Sequence, residues 1–392
     1  MPSDTLSTWN ARLHEGLRAL EQRSQRRSLA EIRGVNFCSN DYLGLAESAV
    51  LRERVADAVR KAERVGGTGS RLLSGQTEQW RELEDNFAMF AGTEAALFFT
   101  TGYVANVGLL SSLVGKDDVI FSDQLNHASL IDGMRLSGAR KVIYPHLDLN
   151  ALEDALCREA DAPWRRVVVT ESVFSMDGDI APLPEIITLA EKYNAAVILD
   201  EAHATAVHGP GGRGLAFASG LTHRMLAIVH TCGKALASAG AFVCGSAVLK
   251  EHLLNHARTF VFSTALPPYF AVQIQGALGL AEGMDEDRRV LLENASGFRA
   301  ALQAEGFDFA GSGSQIVPVI LGQNEAALDA AEHLQREGFA VRGIRPPTVP
   351  EGGARLRLSL TTRIAPDELA RFAEALRAWR SRQLSLASAR HA

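Results

Sequence analysis

The sequence predicts an α/β protein, with a mostly parallel central sheet followed by a smaller C-terminal α+β lobe. Three observations carry that expectation. From Ala95 onward, short apolar runs alternate with helix-patterned stretches, the rhythm of right-handed β–α–β crossovers. Within AAVILDEAHAT (Ala195–Thr205), Ala196–Leu199 is wholly apolar, as expected of a central strand covered on both faces. After Ile316 the strict alternation gives way to strand-like runs that follow one another with fewer helices between them.

Taken in order, residues 4–30 place Trp9, Leu13, Leu17 and Leu20 at helical spacing, predicting an amphipathic N-terminal helix. Val35–Gly44 reads as a short strand running into a turn, and Ser48–Glu63 as a second helix. Gly66–Gly75 carries too many glycines for a regular element, and the helix from Gln76 to Phe90 stops at Gly92. Strands are then expected at Ala95–Phe99, Asp118–Ser122, Lys141–Tyr144 and Arg166–Thr170, with helices at Val104–Leu113, Ala128–Ser137, Asn150–Glu159 and Pro184–Tyr193. Leu226–Leu249 reads as strand–turn–strand, Arg258–Pro268 as a loop, and Tyr269–Glu293 as one long helix. The closing lobe is read as strand Ile316–Leu321, helix Glu325–Glu337, strands Ala340–Gly343 and Ala354–Ser359, and helix Pro366–Leu384. No internal repeat or low-complexity segment interrupts this order.

A chain of 392 residues, 46% of them hydrophobic, is long enough to bury a large core and divide into lobes. The net charge of −6 is spread without long like-charge blocks, and the arginine-rich patches (Arg23, Arg26, Arg27) are short, so no nucleic-acid partner is expected. The four cysteines (Cys38, Cys157, Cys232, Cys244) form no C-x-x-C pair, which argues against a zinc site or disulfide framework. Neither a signal-type segment nor a long apolar span occurs, so a cytoplasmic protein without membrane contact is expected.

The chemistry gathers at strand ends. Asp200, Glu201 and His203 follow one apolar run, and Met225–Val229 leads into His230-Thr231-Cys232-Gly233-Lys234. Open α/β sheets bind ligands at the carboxyl ends of their strands. An acid, a histidine and a lysine there are the parts of a pyridoxal 5′-phosphate (PLP) enzyme, in which the lysine forms a Schiff base and the acid pairs with the pyridinium nitrogen. Small neighbours on both sides of Lys234 admit a flat ring and favour the free amine. A strand-end Asp is also an ordinary cap or turn residue, and a lysine beside glycine an ordinary surface turn. DEAH after an apolar strand also fits a helicase-type ATPase. Neither Gly115-Lys116-Asp117 nor Gly233-Lys234-Ala235 ends in the Ser or Thr of a phosphate loop, which weighs against that reading. Thr100-Thr101-Gly102-Tyr103 opens a helix, where backbone N–H groups either bind phosphate or are simply capped by threonine. His127, at another strand end, is either a ring that stacks on the pyridine or a satisfied loop residue.

Eight segments appear in order: SNDYLGL (Ser39–Leu45), GGTGSRLLSG (Gly66–Gly75), TTGYVAN (Thr100–Asn106), NHASLIDG (Asn126–Gly133), ESVFSMDGDIAPL (Glu171–Leu183), DEAHATAVHGPGGRG (Asp200–Gly214), HTCGKALASAG (His230–Gly240) and FSTALPP (Phe262–Pro268). With them the chain resembles the α-oxoamine synthase family of fold-type I PLP enzymes along essentially its whole length. The resemblance implies an aminotransferase-like fold, divided here as an N-terminal helix and arm (1–45), a large PLP-binding domain (46–285) and a small C-terminal domain (286–392). It implies that Lys234 carries PLP and acts as base, Asp200 binds the pyridinium, His203 the ring hydroxyl, and His127 stacks on the ring. Gly102, Tyr103, Ser175 and Thr231 would line the cofactor and its phosphate, with Ser263 and Thr264 reaching that phosphate across a homodimer interface. Arg357, helped by Asn40, would hold an amino acid carboxylate, although Arg355-Leu356-Arg357-Leu358 fits a plain strand arginine equally well. The segment Val341–Pro350, reading VRGIRPPTVP, points within the family to L-alanine and a pimeloyl thioester as substrates. Thr348 is expected near the acyl group, together with an N-terminal arginine, Arg26 or alternatively Arg23.

Overall fold

The apolar runs become strands of one large sheet. The computed structural model describes residues 4–29, 31 and 33–391. Among them the strands are, in chain order, β1 (Val35–Asn36), β2 (Ala95–Phe99), β3 (Asp118–Asp123), β4 (Arg140–Tyr144), β5 (Arg165–Glu171), β6 (Ala195–Asp200), β7 (Ala227–Thr231), β8 (Ala241–Gly245), β9 (Ile316–Gly322), β10 (Phe339–Ala340), β11 (Gly343–Ile344) and β12 (Ala354–Ser359). Seven of these form the sheet β2-β8-β7-β6-β5-β3-β4. Neighbours run parallel from β7 through β4, and β8 alone opposes its neighbours β2 and β7. The expected mostly parallel sheet is therefore present.

Alternation along each strand feeds two apolar layers. Val167, Val169, Ile198 and Val229 pack on one face with Leu109, Leu110 and Met134 of the covering helices. Val168, Val197, Leu199 and Ile228 pack on the other with Leu152, Leu156 and Ile187. Because both faces are dry, the strands read as unbroken hydrophobic runs and their polar residues are confined to the ends. Asp123, Glu171, Asp200 and Thr231 are the last residues of β3, β5, β6 and β7, so one edge of the sheet collects them.

The smaller lobe is a three-stranded antiparallel sheet, β11-β12-β9, covered by helices Asp285–Ala304, Asn324–Arg336 and Pro366–His391. Val35-Asn36 pairs in parallel with Phe339-Ala340, which ties the arm to this lobe.

Several local expectations change. Ala340–Gly343, expected as one strand, is split between β10 and β11 in different sheets, and the expected loop Arg258–Pro268 begins with a short helix, Arg258–Val261. The N-terminal helix covers Asp4–Gln22 and stops short of the predicted residue 30, which lies outside the described residues. Arg71–Gly75 within the glycine-rich segment is a π-helical turn rather than irregular chain. Leu226–Leu249 is β7, β8 and the start of a helix at Ala247, nucleated where Ser246 Oγ accepts from Leu249 N at 3.1 Å. The long helix breaks at Gly283-Met284 into Tyr269–Glu282 and Asp285–Ala304, and the buried Arg288 guanidinium turns back across the break and donates to the Ala281 carbonyl at 2.5 Å. The same carbonyl also accepts from Met284 N at 3.0 Å, so side chain and backbone together close the end of the first helix.

The sheet is locked to its covering helix Glu78–Ala91 through aromatic packing. Phe242 of β8 is fully buried and stacks on Phe87 with ring centroids 3.9 Å apart. Phe242→Ala is expected to lower unfolding free energy by about 3–5 kcal/mol, read from the urea midpoint at unchanged slope.

Candidate active site

β6 and β7 lie side by side with Asp200 registered against Val229, so the chain leaving each strand enters the same space. After β7 the segment turns back sharply: Cys232 N donates to the Gly240 carbonyl at 2.8 Å and Ser238 N to the Cys232 carbonyl at 2.9 Å. That turn presents Lys234 toward β6. Its amine lies 2.9 Å from His203 Nε2. Burial pushes the Lys234 pKa down to about 8, against the opposing pull of Asp200 and Glu171. Burial and the neighbouring Lys234 push His203 well below its ordinary value, so it is a neutral imidazole.

A neutral imidazole has one donor and one acceptor nitrogen. With Nε2 accepting from Lys234, Nδ1–H donates to Tyr42 Oη at 2.7 Å, and Tyr42 donates onward to Asn40 Oδ1 at 3.1 Å. The same Asn40 oxygen accepts from an Arg357 terminal nitrogen at 3.0 Å and from Ser359 Oγ at 3.1 Å. Arg357 Nε donates to the Ser175 carbonyl at 2.5 Å. A continuous hydrogen-bonded path thus joins the lysine amine to a buried guanidinium.

Asp200 accepts from Ala202 N at 2.8 Å and from Asn106 Nδ2 at 2.7 Å. Asn106 also donates to Ser129 Oγ at 2.9 Å. His127 Nδ1 lies 2.8 Å from the same Ser129 hydroxyl, while its backbone N–H donates to Glu171 Oε1 at 2.6 Å. Burial depresses His127 and, with Asp200 nearby, raises Glu171, so both favour their neutral forms.

Lys234, Asp200, His203, His127, Gly102, Tyr103 and Thr231 all line one cavity of about 200 Å³, with Asn106, Ser129, Glu171, Ala202 and Val229. The donor set fits PLP. A buried carboxylate and an amine share the space, and Gly102 opens a helix whose first-turn N–H groups lack intrahelical acceptors. Thr101 caps that helix by accepting from Val104 N at 3.1 Å, so capping and phosphate binding coexist there.

Other expected residues lie elsewhere in the chain. Ser175 is buried beside Arg357 and does not line the cavity. Ser263 and Thr264 line a separate crevice with Arg71, Trp80 and Thr100, and Thr264 bridges to Ser70. Thr348 accepts from Arg27 at 3.0 Å, whereas Arg26 pairs with Glu21 at 3.1 Å and the Arg23 carbonyl accepts from Asn324. Arg27 is therefore the N-terminal arginine that the fold sets against Thr348. Sequence reasoning did not single out Tyr42, Asn106, Ser129, Glu171 or Ser359. Glu171 had the same signal as Asp200, a carboxylate straight after an apolar run, and Ser359 shares a strand face with Arg357.

The neighbouring acid, Glu201, faces away from the cavity and accepts from Leu215 N at 2.7 Å and Ala216 N at 3.1 Å. Burial lifts its pKa to about 7 from an ordinary 4.5. An acid raised on folding contributes stability that is complete below about pH 4.5 and is lost as pH rises through about 7. Glu201→Gln should remove that slope. The wild-type minus variant unfolding free energy, measured by urea titration, should fall by on the order of 3 kcal/mol between these limits.

Known proteins bear on this geometry. The family described as "Aminotransferase class I and II" matches residues 32–376. An 8-amino-7-oxononanoate synthase from Geobacter sulfurreducens is 46% identical over 93% of this chain and 93% of its own. An 8-amino-7-oxononanoate synthase 2 from Bacillus subtilis is 44% identical over 83% of each. The crystal structure of 8-amino-7-oxononanoate synthase from Francisella tularensis superposes with a TM-score of 0.78 at 28% identity, covering 90% of this chain and 99% of that one. A serine palmitoyltransferase from S. paucimobilis, solved with PLP–myriocin bound, gives 0.88 at 28% identity, covering 98% and 100%. The chain thus belongs to the class I and II aminotransferase family, within its α-oxoamine synthase branch of fold-type I PLP enzymes.

Proposed function

We propose that the protein condenses L-alanine with a pimeloyl thioester, carried on coenzyme A or a carrier protein, giving 8-amino-7-oxononanoate, the free thiol and CO₂. The observation that carries this reading is the path Lys234–His203–Tyr42–Asn40–Arg357, which couples an amine base to a carboxylate-binding fork. The choice of alanine and pimeloyl is supported by relatives 46% identical over 93% of the chain. A serine- or glycine-using sister activity is favoured by the higher TM-score of 0.88 to serine palmitoyltransferase, but at 28% identity that likeness weighs less.

Bound in this cavity, PLP supplies the electron sink for a carbanion at the amino acid Cα. Lys234 would hold its aldehyde carbon, Asp200 its ring nitrogen, and His203 its hydroxyl, while His127 offers a flat neutral ring. With a pKa near 8, the Lys234 amine is partly unprotonated close to neutral pH, so it takes and returns the Cα proton. Asp200 remains oriented by Asn106 and Ala202 as charge develops, so no reorganisation is needed at that moment. Arg357 presents a planar fork to the substrate carboxylate. Arg27 and Thr348, joined across the arm and the small lobe, meet the acyl chain.

A second copy of the chain completes the site as a homodimer, bringing Ser263 and Thr264 to the phosphate. The Ser70–Thr264 bridge gathers the exposed Leu72, Leu73 and Phe262 on one surface, which supports an interface there. No helix among the described residues is long and apolar enough to cross a membrane.

Purified protein should show the visible-edge band of lysine-bound PLP, and Lys234→Ala should abolish both band and turnover. Supplied with pimeloyl-coenzyme A and each small amino acid in turn, it should yield the alanine product by mass; a glycine product instead would overturn the assignment. Arg27→Ala should raise KM for the thioester roughly tenfold with kcat little changed, the scale of one hydrogen bond to a charged group.

A further inference from the structure

A short hairpin leaves β5, closed by the Val173/Ile180 bridge, and crosses to the small lobe. The lobe grips it through β12. Arg355 meets Asp177 Oδ1 at 2.5 Å, and Arg357 Nε donates to the Ser175 carbonyl at 2.5 Å. Gly313 N adds a bond to the Gly178 carbonyl at 3.1 Å.

The large sheet grips the other side with one imidazole. His146, two residues beyond β4, sets Nε2 2.5 Å from Asp179 Oδ2 and Nδ1 2.8 Å from Asp123 Oδ1. Asp123 is fully buried and also accepts from Leu147 N at 2.9 Å and Leu125 N at 2.8 Å. The ring stands edge-on to Phe174 of the same hairpin, centroids 4.4 Å apart.

A neutral imidazole could donate to only one of these carboxylates and would turn a lone pair on the other. Two ionised carboxylates, one on each ring nitrogen, therefore favour the imidazolium. Burial opposes that charge, and the bonds to Asp123 and Asp179 outweigh it, lifting the pKa to about 10. The clamp is consequently charged throughout the working range and does not act as a switch.

We propose that His146 is a positioning residue for the amino acid substrate: by tying Asp179 to Asp123 it fixes the hairpin whose Ser175 carbonyl orients the Arg357 fork. The inference rests on the reading of Arg357 as the carboxylate holder. Charge-assisted bonds of this kind lose most of their strength when a donor is replaced by an acceptor. His146→Gln keeps one donor, and turns its amide oxygen toward the remaining carboxylate. Asp179→Asn on that background restores a donor to that oxygen.

The test is a spectral titration of PLP-loaded enzyme with L-alanine, alongside steady-state kinetics and thermal unfolding. H146Q should raise the alanine Kd about tenfold and KM with it, leave kcat within about threefold, and keep the PLP band. The double variant H146Q/D179N should return Kd to within about threefold of wild type. Should H146Q not fold, Asp179→Ala removes the hairpin end of the clamp alone and should raise Kd likewise. A Kd that H146Q and D179A leave unchanged, or a change in Tm without one in Kd, overturns the proposal. R357K serves as the reference: if it weakens alanine binding while H146Q does not, the clamp fails alone. If R357K has no effect on Kd, the reading beneath fails and takes the clamp with it.

Discussion

The structure depends on an amine and a carboxylate brought into one cavity at the carboxyl edge of one parallel sheet. Adjacent parallel strands β6 and β7 deliver Asp200 and Lys234 to the same side because parallel strands end together. Neither charge could be left alone there, since an unpaired buried ion costs several kcal/mol. Asp200 is matched by two N–H donors and by the lysine's field, and Lys234 shifts toward its neutral form as desolvation dominates. That desolvation leaves an amine neutral more readily than an exposed lysine, which is what the proposed proton transfer needs.

Around this pair, polar residues are satisfied in series. His203, Tyr42 and Asn40 pass hydrogen bonds one way from the amine, and Arg357 and Ser359 enter the same Asn40 oxygen from the small lobe. Such a network stabilises only if every member has its partner, so it couples the arm, the sheet and the small lobe. Arg355 and Arg357 stand two residues apart on β12, and both reach the hairpin after β5. One strand face of the small lobe thereby holds both a salt bridge to the large sheet's loop and the guanidinium proposed to hold the substrate carboxylate.

Likeness to α-oxoamine synthases extends this local picture to the whole chain. Matches that cover more than nine-tenths of both partners leave little of the chain unaccounted for. The crevice containing Ser263 and Thr264 lies apart from the Lys234 cavity in one chain. That separation is the expected consequence if the phosphate end is completed by a second copy, because residues that serve a neighbour point away from their own site.

The sequence by itself determined the sheet, because strands dry on both faces must be apolar throughout and their ends must carry whatever is polar. Ala95–Phe99 keeps its expected limits for that reason, and Asp200, His203 and Lys234 were legible as polar residues at or just beyond strand ends. What linear spacing could not tell was direction. Asp200 and Glu201 are adjacent and chemically alike, yet one turns into the cavity and the other to backbone N–H groups at Leu215 and Ala216. Arg27 rather than Arg26 meets Thr348 because the arm's path past the helix is set by contacts with the distant small lobe. Tyr42, Glu171 and His146 gained their roles only when residues far apart in sequence were brought within hydrogen-bond range. The pattern of burial is local and repeats along the chain, whereas the pairing of buried polar groups is long-range, and only the tertiary structure decides it.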